Sequence, residues 1–185
     1  YFVMFSQSKR TLFADGALET EDSAEVMFGT SLNKVYNAIN SERLFNCKFI
    51  RFSRDCTNSQ FLFDCRNCDN CFGAWNKRNK QYLWWNEQLS KEEWESRMAK
   101  VDHSRRSLLN PLLERFQKII ADEAIWPENF SEHTTNSTGD YLYKTHNVKY
   151  GYICIDGARD LYHTTYATGD SFECAFSAGN MDSNN

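Results

Sequence analysis

The sequence predicts a mainly β protein: a right-handed β-helix, or solenoid-like stack of short strands, that a two-helix insertion interrupts. Small apolar clusters recur about every five or six residues between 35 and 72, and polar residues rich in asparagine separate them. The same rhythm returns after residue 138, and helix-capping signals lie between the two stretches. A single helix would instead show a periodicity of about 3.6 residues, which residues 35–72 lack.

The polar corners predict the strands before residue 90. Short strands that turn at polar residues give this spacing of apolar clusters, and asparagine satisfies turn backbone groups and tolerates left-handed dihedral angles. Three such faces would make a coil of about 15–20 residues, a step of the size that separates Cys47 from Cys65. After residue 138 the expected core positions are Leu142, Val148, Ile153, Ala158, Leu161 and Tyr166.

Two helices are predicted within residues 90–123. Ser90 and Glu93 form a capping-box pattern, while Asn110 and Pro111 give a second helix start. The second helix carries an apolar stripe of Leu112, Leu113, Phe116, Ile119 and Ile120. Because an uncovered edge strand invites aggregation, we expect this stripe to cover an open end or side of the stack.

The predicted segments are a strand-rich part at 1–89, the helical insertion at 90–127 and a second strand-rich part at 128–185, which together form one structural unit. A β-sandwich with a helical insertion is the alternative fold. The chain shows neither an initiator Met nor a signal peptide at its start, so its localisation stays open, and a fragment of a longer chain and a mature product are both compatible with the sequence.

Seven cysteines stand at 47, 56, 65, 68, 71, 154 and 174, and an odd number cannot all pair within one chain. The favoured interpretation treats Cys47, Cys56, Cys65, Cys68 and Cys71 as structural, buried thiols. A disulfide framework is a second interpretation. A zinc site formed by Cys56, Cys65, Cys68 and Cys71 is a third. The ferredoxin pattern fails, because Trp75 and Asn76 stand where cysteine and proline are required.

Residues 64–73 (DCRNCDNCFG) resemble a motif of an uncharacterised cysteine-repeat family from metagenomes of candidate-phyla bacteria. The resemblance continues through 76–82, 86–88, 90–94, 136–142 and 147–151, and it covers roughly residues 45–175. It implies a repetitive, solenoid-like protein with a helical insertion, and it implies no activity. Ala74 and Leu83 stand where the family usually has cysteine, which weakens a metal role for the set.

Two groups of residues are candidate sites. An aromatic and cationic surface would bind a ligand by stacking, and its members are Trp75, Lys77, Arg78, Tyr82, Trp84 and Trp85. The alternative for these aromatics is that they join the helices to the stack. An acidic site would consist of Asp140, Asp156 and Asp170, since stacked coils can bring carboxylates together for acid–base chemistry or glycan binding.

The leading function is that of a non-enzymatic structural or interaction protein whose solenoid surface serves protein assembly or ligand contact. A carbohydrate-binding or carbohydrate-active β-helix protein is the alternative, and a zinc protein is the second. We expect a protein partner or self-assembly, with a glycan as a further partner class and no cofactor. The net charge of -4 argues against nucleic acid, and no apolar run is long enough for a membrane span.

Overall fold

The computed structural model describes residues 19, 21, 31, 33, 34, 36–39 and 48–181. The chain divides into two compact units, Tyr1–Ile125 and Trp126–Asn185. The fold is mainly β, with two helices and curled parallel sheets. Cys47 and most of the predicted segment before residue 48 lie outside the described residues. No helix in the described part of the chain has the length and apolar character that a membrane crossing requires.

One six-stranded sheet forms the first unit, with its strands in sequence order. The strands are β1 (Tyr36–Ile39), β2 (Lys48–Arg51), β3 (Gln60–Phe63), β4 (Phe72–Trp75), β5 (Leu83–Trp84) and β6 (Glu87–Gln88). All neighbouring pairs are parallel except β5 with β6, which is antiparallel.

The register of the first unit repeats every twelve residues. Lys48 pairs with Gln60, Gln60 with Phe72, and Phe72 with Trp84. The offset is therefore shorter than the predicted coil of about 15–20 residues. We call each twelve-residue step a layer.

Within a layer the structure repeats every three residues. Every third residue is buried, and these inner positions are Ile50, Ser53, Cys56, Ser59, Leu62, Cys65, Cys68, Cys71 and Ala74. The residue before each inner position has a positive φ, as at Phe49, Phe52, Asp55, Asn58, Phe61, Asp64, Asn67, Asn70 and Gly73. Asparagine and aspartate tolerate this left-handed conformation best among residues with a side chain, so the prediction of asparagine at corners is confirmed. The predicted spacing of five or six residues is wrong, because bulky side chains also occupy outward positions.

The two helices are α1 (Lys91–Met98) and α2 (Arg106–Asp122). The capping box is confirmed: Ser90 Oγ accepts the N–H of Glu93, and the Glu93 carboxylate accepts the N–H of Ser90. The predicted start of α2, with Asn110 as N-cap and Pro111 as first residue, is wrong, since the helix begins five residues earlier, at Arg106. Leu109 packs on the buried cluster, and tertiary packing of this kind outweighs a local start signal.

The helices cover one face of the first sheet. Phe116, Ile119 and Ile120 of α2 form one buried cluster with Phe49, Phe61, Phe63, Phe72 and Trp85 of the sheet. The inner positions form a separate cluster on the other side of the same strands. Strands β2, β3 and β4 are thus buried on both faces, as parallel strands usually are.

The second unit contains β7 (Gly139–Tyr143), β8 (His146–Lys149), β9 (Gly151–Ile155), β10 (Arg159–Thr168) and β11 (Ala175–Met181). All their pairings are parallel, in the order β11-β10-β9-β7, and β8 also pairs with β10. Leu142 pairs with Cys154, twelve residues on, whereas Val148 pairs with Leu161, thirteen residues on. Its inner core comprises Leu142, Val148, Cys154, Ala158, Leu161, Ala167 and Cys174.

Candidate functional site

The inner serines hydrogen-bond the backbone of two layers. Ser53 Oγ donates to the carbonyl of Arg51 at 3.0 Å and accepts the N–H of Cys65, one layer on, at 3.0 Å. Ser59 Oγ likewise donates to the carbonyl of Thr57 and accepts the N–H of Cys71, one layer on. The second unit repeats the arrangement, since Ser137 accepts the N–H of Val148. A buried N–H without a partner is costly, so these hydroxyls stabilise the stacking of one layer on the next.

The inner cysteines behave like the serines. Each thiol donates to the carbonyl two residues before it, as Cys56 does to Arg54 at 3.2 Å and Cys71 to Asp69 at 3.3 Å. One layer on, the N–H of Lys77 hydrogen-bonds the sulfur of Cys65. The thiols are thus part of the backbone hydrogen-bond system, which the sequence interpretation of them as small apolar residues did not include.

Four of the thiols also contact one another. Hydrogen bonds to Cys68, together with burial, raise the pKa of Cys56 and of Cys71. Burial, and then a hydrogen bond to Cys68, raise the pKa of Cys65.

The cysteines of the described residues are all free and buried. Across the described part of the chain, no group of three or more histidine, cysteine, aspartate or glutamate side chains is arranged to hold a metal ion. The same holds for Cys56, Cys65, Cys68 and Cys71, the set considered above for zinc.

The structure separates the predicted aromatic and cationic surface into buried and exposed members. Trp85 is 9% exposed and belongs to the cluster beneath α2, with the Arg115 guanidinium 4.1 Å from its ring centroid. Trp75 and Trp84 are half-buried against the same cluster, and Trp84 stacks on Phe72 at 4.6 Å. These three tryptophans therefore join the helices to the sheet.

The polar members of that surface differ in their partners. Arg78 Nη2 donates to both carboxylate oxygens of Asp64 at 3.0 Å, and Nη1 donates to the backbone carbonyl of Asp64. Lys77 is half-buried at an inner position and its carbonyl accepts the N–H of Arg66. Tyr82 meets the ring of Trp94 on α1 edge-on, at 6.1 Å.

The three predicted acidic residues have different local partners. Asp140 pairs across the ladder with Tyr152, and its Oδ1 accepts the backbone N–H groups of Phe130 and Tyr141. Asp156 lies 3.9 Å from Lys144, and Asp170 lies 3.9 Å from Arg159. Each of the three carboxylates thus has polar or cationic partners of its own.

An exposed group of rings on the second unit was missed from the sequence. His163 stacks on Tyr150 at 4.5 Å and on Phe176 at 5.4 Å. Tyr162 meets Tyr150 and Phe176 edge-on, at 5.8 and 5.5 Å. Phe176 is 78%, Tyr150 62% and Tyr162 43% exposed. We call Tyr150, Tyr162, His163 and Phe176 the aromatic ladder; the thirteen-residue spacing of its three stacked rings was the available signal.

No family model, curated protein or solved structure matches this chain.

Proposed function

We propose that this chain is a non-enzymatic interaction protein whose strands stack as a β-solenoid and whose second unit presents the aromatic ladder to another protein. The twelve-residue register and the three-residue inner period support the stacking. A β-sandwich requires antiparallel strands in two facing sheets. The longer strand pairs are parallel in both units, which argues against that alternative.

The observation behind the interaction role is the exposure of the ladder. Tyr150, Tyr162 and Phe176 are large, mutually packed rings that water surrounds on their outer sides. Scattered apolar residues on a surface are ordinary, but contiguous exposed apolar patches mark interaction sites. Tyrosine and phenylalanine are also enriched at protein interfaces, where a few buried rings supply most of the binding energy.

The orientation of the rings favours a protein over a sugar as the occupant. In the stacked column, Tyr150 and Phe176 cover the two faces of His163. A sugar would need a free ring face, whereas ring edges and hydroxyl groups suit the side chains and backbone of a protein surface. A second copy of this chain is the occupant that we test.

The test uses the full chain and sedimentation velocity over a concentration series. We expect reversible self-association, and we expect the double variant Tyr162→Ser/Phe176→Ser to weaken it at least about tenfold. Tyr152→Ser is the matched control, because Tyr152 is an exposed tyrosine of the same unit outside the ladder. Association that survives the double variant, or a wild-type chain that stays monomeric throughout, would show that the ladder does not mediate assembly.

A further inference from the structure

The last layer of the first unit ends in a polar depression that the interaction role does not use. It has a volume of about 450 Å³ and surrounds Tyr82. Asp69 bridges Gln81 in parallel register, and among the described residues no strand continues this register beyond Gln81. The side chain of Gln88 instead donates to the carbonyl of Gln81 at 2.7 Å. The depression is therefore the open end of a column of layers.

A further protein strand is a poor occupant of this end. Lys80 stands one layer after Cys68 and two layers after Cys56, at the inner position of the same column. Where those cysteines are buried, Lys80 is exposed. An inward-pointing charge is a device by which sheet proteins prevent the addition of another strand. The depression thus excludes a strand and leaves room for a small ligand.

Several polar groups of the depression have no partner in the structure. Asn67 donates to Asn79 Oδ1 at 2.7 Å, which leaves the carbonyl oxygen of Asn67 and the amide nitrogen of Asn79 for a ligand. Among the described residues, the side chains of Lys80 and Gln81 and the hydroxyl of Tyr82 also make no hydrogen bond. Donors and acceptors therefore alternate around one concave surface.

The depression suits a neutral ligand. The Asp69 carboxylate accepts hydrogen bonds from Asn70 and Thr57, and it has no ion-pair partner within the described part of the chain. Lys80 lines the same depression, so the two opposite charges offset each other and give no net preference for an anion or a cation. Hydroxyl groups, which both donate and accept, match this lining best.

Tyr82 supplies the apolar surface. Its ring is half-buried, and the edge contact with the buried Trp94 holds it against α1. A fixed tyrosine ring offers contact area at low entropic cost, and the C–H face of a sugar can pack on it. We propose that this depression binds a neutral oligosaccharide through Tyr82, Gln81 and the Asn67–Asn79 amide pair.

The test is a titration of the ¹⁵N-labelled full chain with cellohexaose, xylohexaose, maltohexaose, chitohexaose and a heparin hexasaccharide. We expect at least one neutral sugar to shift the side-chain amide signals of Asn67, Asn79 and Gln81, with a dissociation constant at or below about 1 mM. Gln81→Ala and Tyr82→Phe should each weaken binding several-fold. Gln81 is exposed and its side chain has no partner, so its variant should fold normally.

Tyr150→Ala, in the other unit, is the control and should leave sugar binding unchanged. The proposal is overturned if none of the four neutral sugars binds, or if only the heparin fragment does. It is equally overturned if binding persists unchanged in Gln81→Ala and Tyr82→Phe. None of these outcomes depends on self-association, so the result is separate from that of the aromatic ladder.

Discussion

Replacing Ser53 with alanine tests the role of the inner hydroxyls directly. Ser53 is fully buried, and its Oγ makes two hydrogen bonds of 3.0 Å, one to the Arg51 carbonyl and one from the Cys65 N–H. The alanine variant loses both bonds and leaves the buried Cys65 N–H without a partner, which costs about 1–3 kcal/mol. Adding the lost bond to Arg51, we expect the free energy of unfolding to fall by about 2–3 kcal/mol.

The assay is urea denaturation followed by tryptophan fluorescence. Ser53→Cys is the matched control, because Cys65 occupies the same column one layer on and hydrogen-bonds the backbone in the same way. We expect the free energy of unfolding of this variant to fall by less than about 1 kcal/mol, because only the larger sulfur atom disturbs the packing. A loss below about 0.5 kcal/mol in Ser53→Ala, or an equal loss in both variants, would refute the hydrogen-bond account.

Three further predictions follow from local geometry. Gly73 has a φ of 68°, and an added Cβ would lie 2.3 Å from Trp85, so Gly73→Ala should lower the free energy of unfolding in urea by about 2–3 kcal/mol. The control Gly179→Ala also has a positive φ but would meet no atom within 4 Å, so its free energy of unfolding should fall by only about 1 kcal/mol. The N–H and hydroxyl of Ser90 lower the pKa of Glu93, so this stabilisation of α1 is present above the ordinary glutamate pKa and disappears as pH falls through the lowered value. Glu93→Gln, which has no carboxylate to titrate, should flatten that acid-side dependence in circular dichroism, and an unchanged profile would contradict it. Burial raises the pKa of Cys154 to about 11, so mass spectrometry should find its alkylation at pH 8 far slower in the native chain than in urea; equal rates would show that it is accessible.

Local signals in the sequence predicted local structure well. The Ser90 capping box depends on residues three apart, and the structure contains it. The left-handed corners depend on single asparagines, and Asn58, Asn67 and Asn70 adopt them. The start of α2 was wrong because the packing of Leu109 on the sheet is a long-range contact that no cap signal reports.

The register could not be predicted from the apolar clusters alone. Phe61, Phe63 and Phe72 are outward residues that belong to the buried cluster beneath α2. Outward apolar residues therefore mixed with inward ones, and the mixture concealed the three-residue period. The spacing of Cys65, Cys68 and Cys71 already shows that period, but metal-site motifs such as the ferredoxin pattern have the same spacing.

The candidate surfaces were misplaced for the same reason. Trp84 and Trp85 are conspicuous in the sequence, yet both serve the packing of the helices. The rings of the aromatic ladder stack because Tyr150, His163 and Phe176 are thirteen residues apart, the same offset as the strand register. This match can be recognised only when the register is known. Exposure of an aromatic residue is a property of the assembled layers, and no single-residue signal in the sequence reports it.

The inner hydrogen bonds also explain where the chain needs cysteine or serine and where it does not. Ser59, Cys71 and Leu83 lie one above another in successive layers, and the sulfur of Cys71 accepts a hydrogen bond from the N–H of Leu83. After Leu83 the chain turns back, because β6 pairs with β5 in the antiparallel direction. Among the described residues, no layer then follows Leu83 whose N–H would need an acceptor. A leucine therefore suffices at the end of this column, whereas Ser59 and Cys71, which a further layer covers, each accept an N–H from that layer.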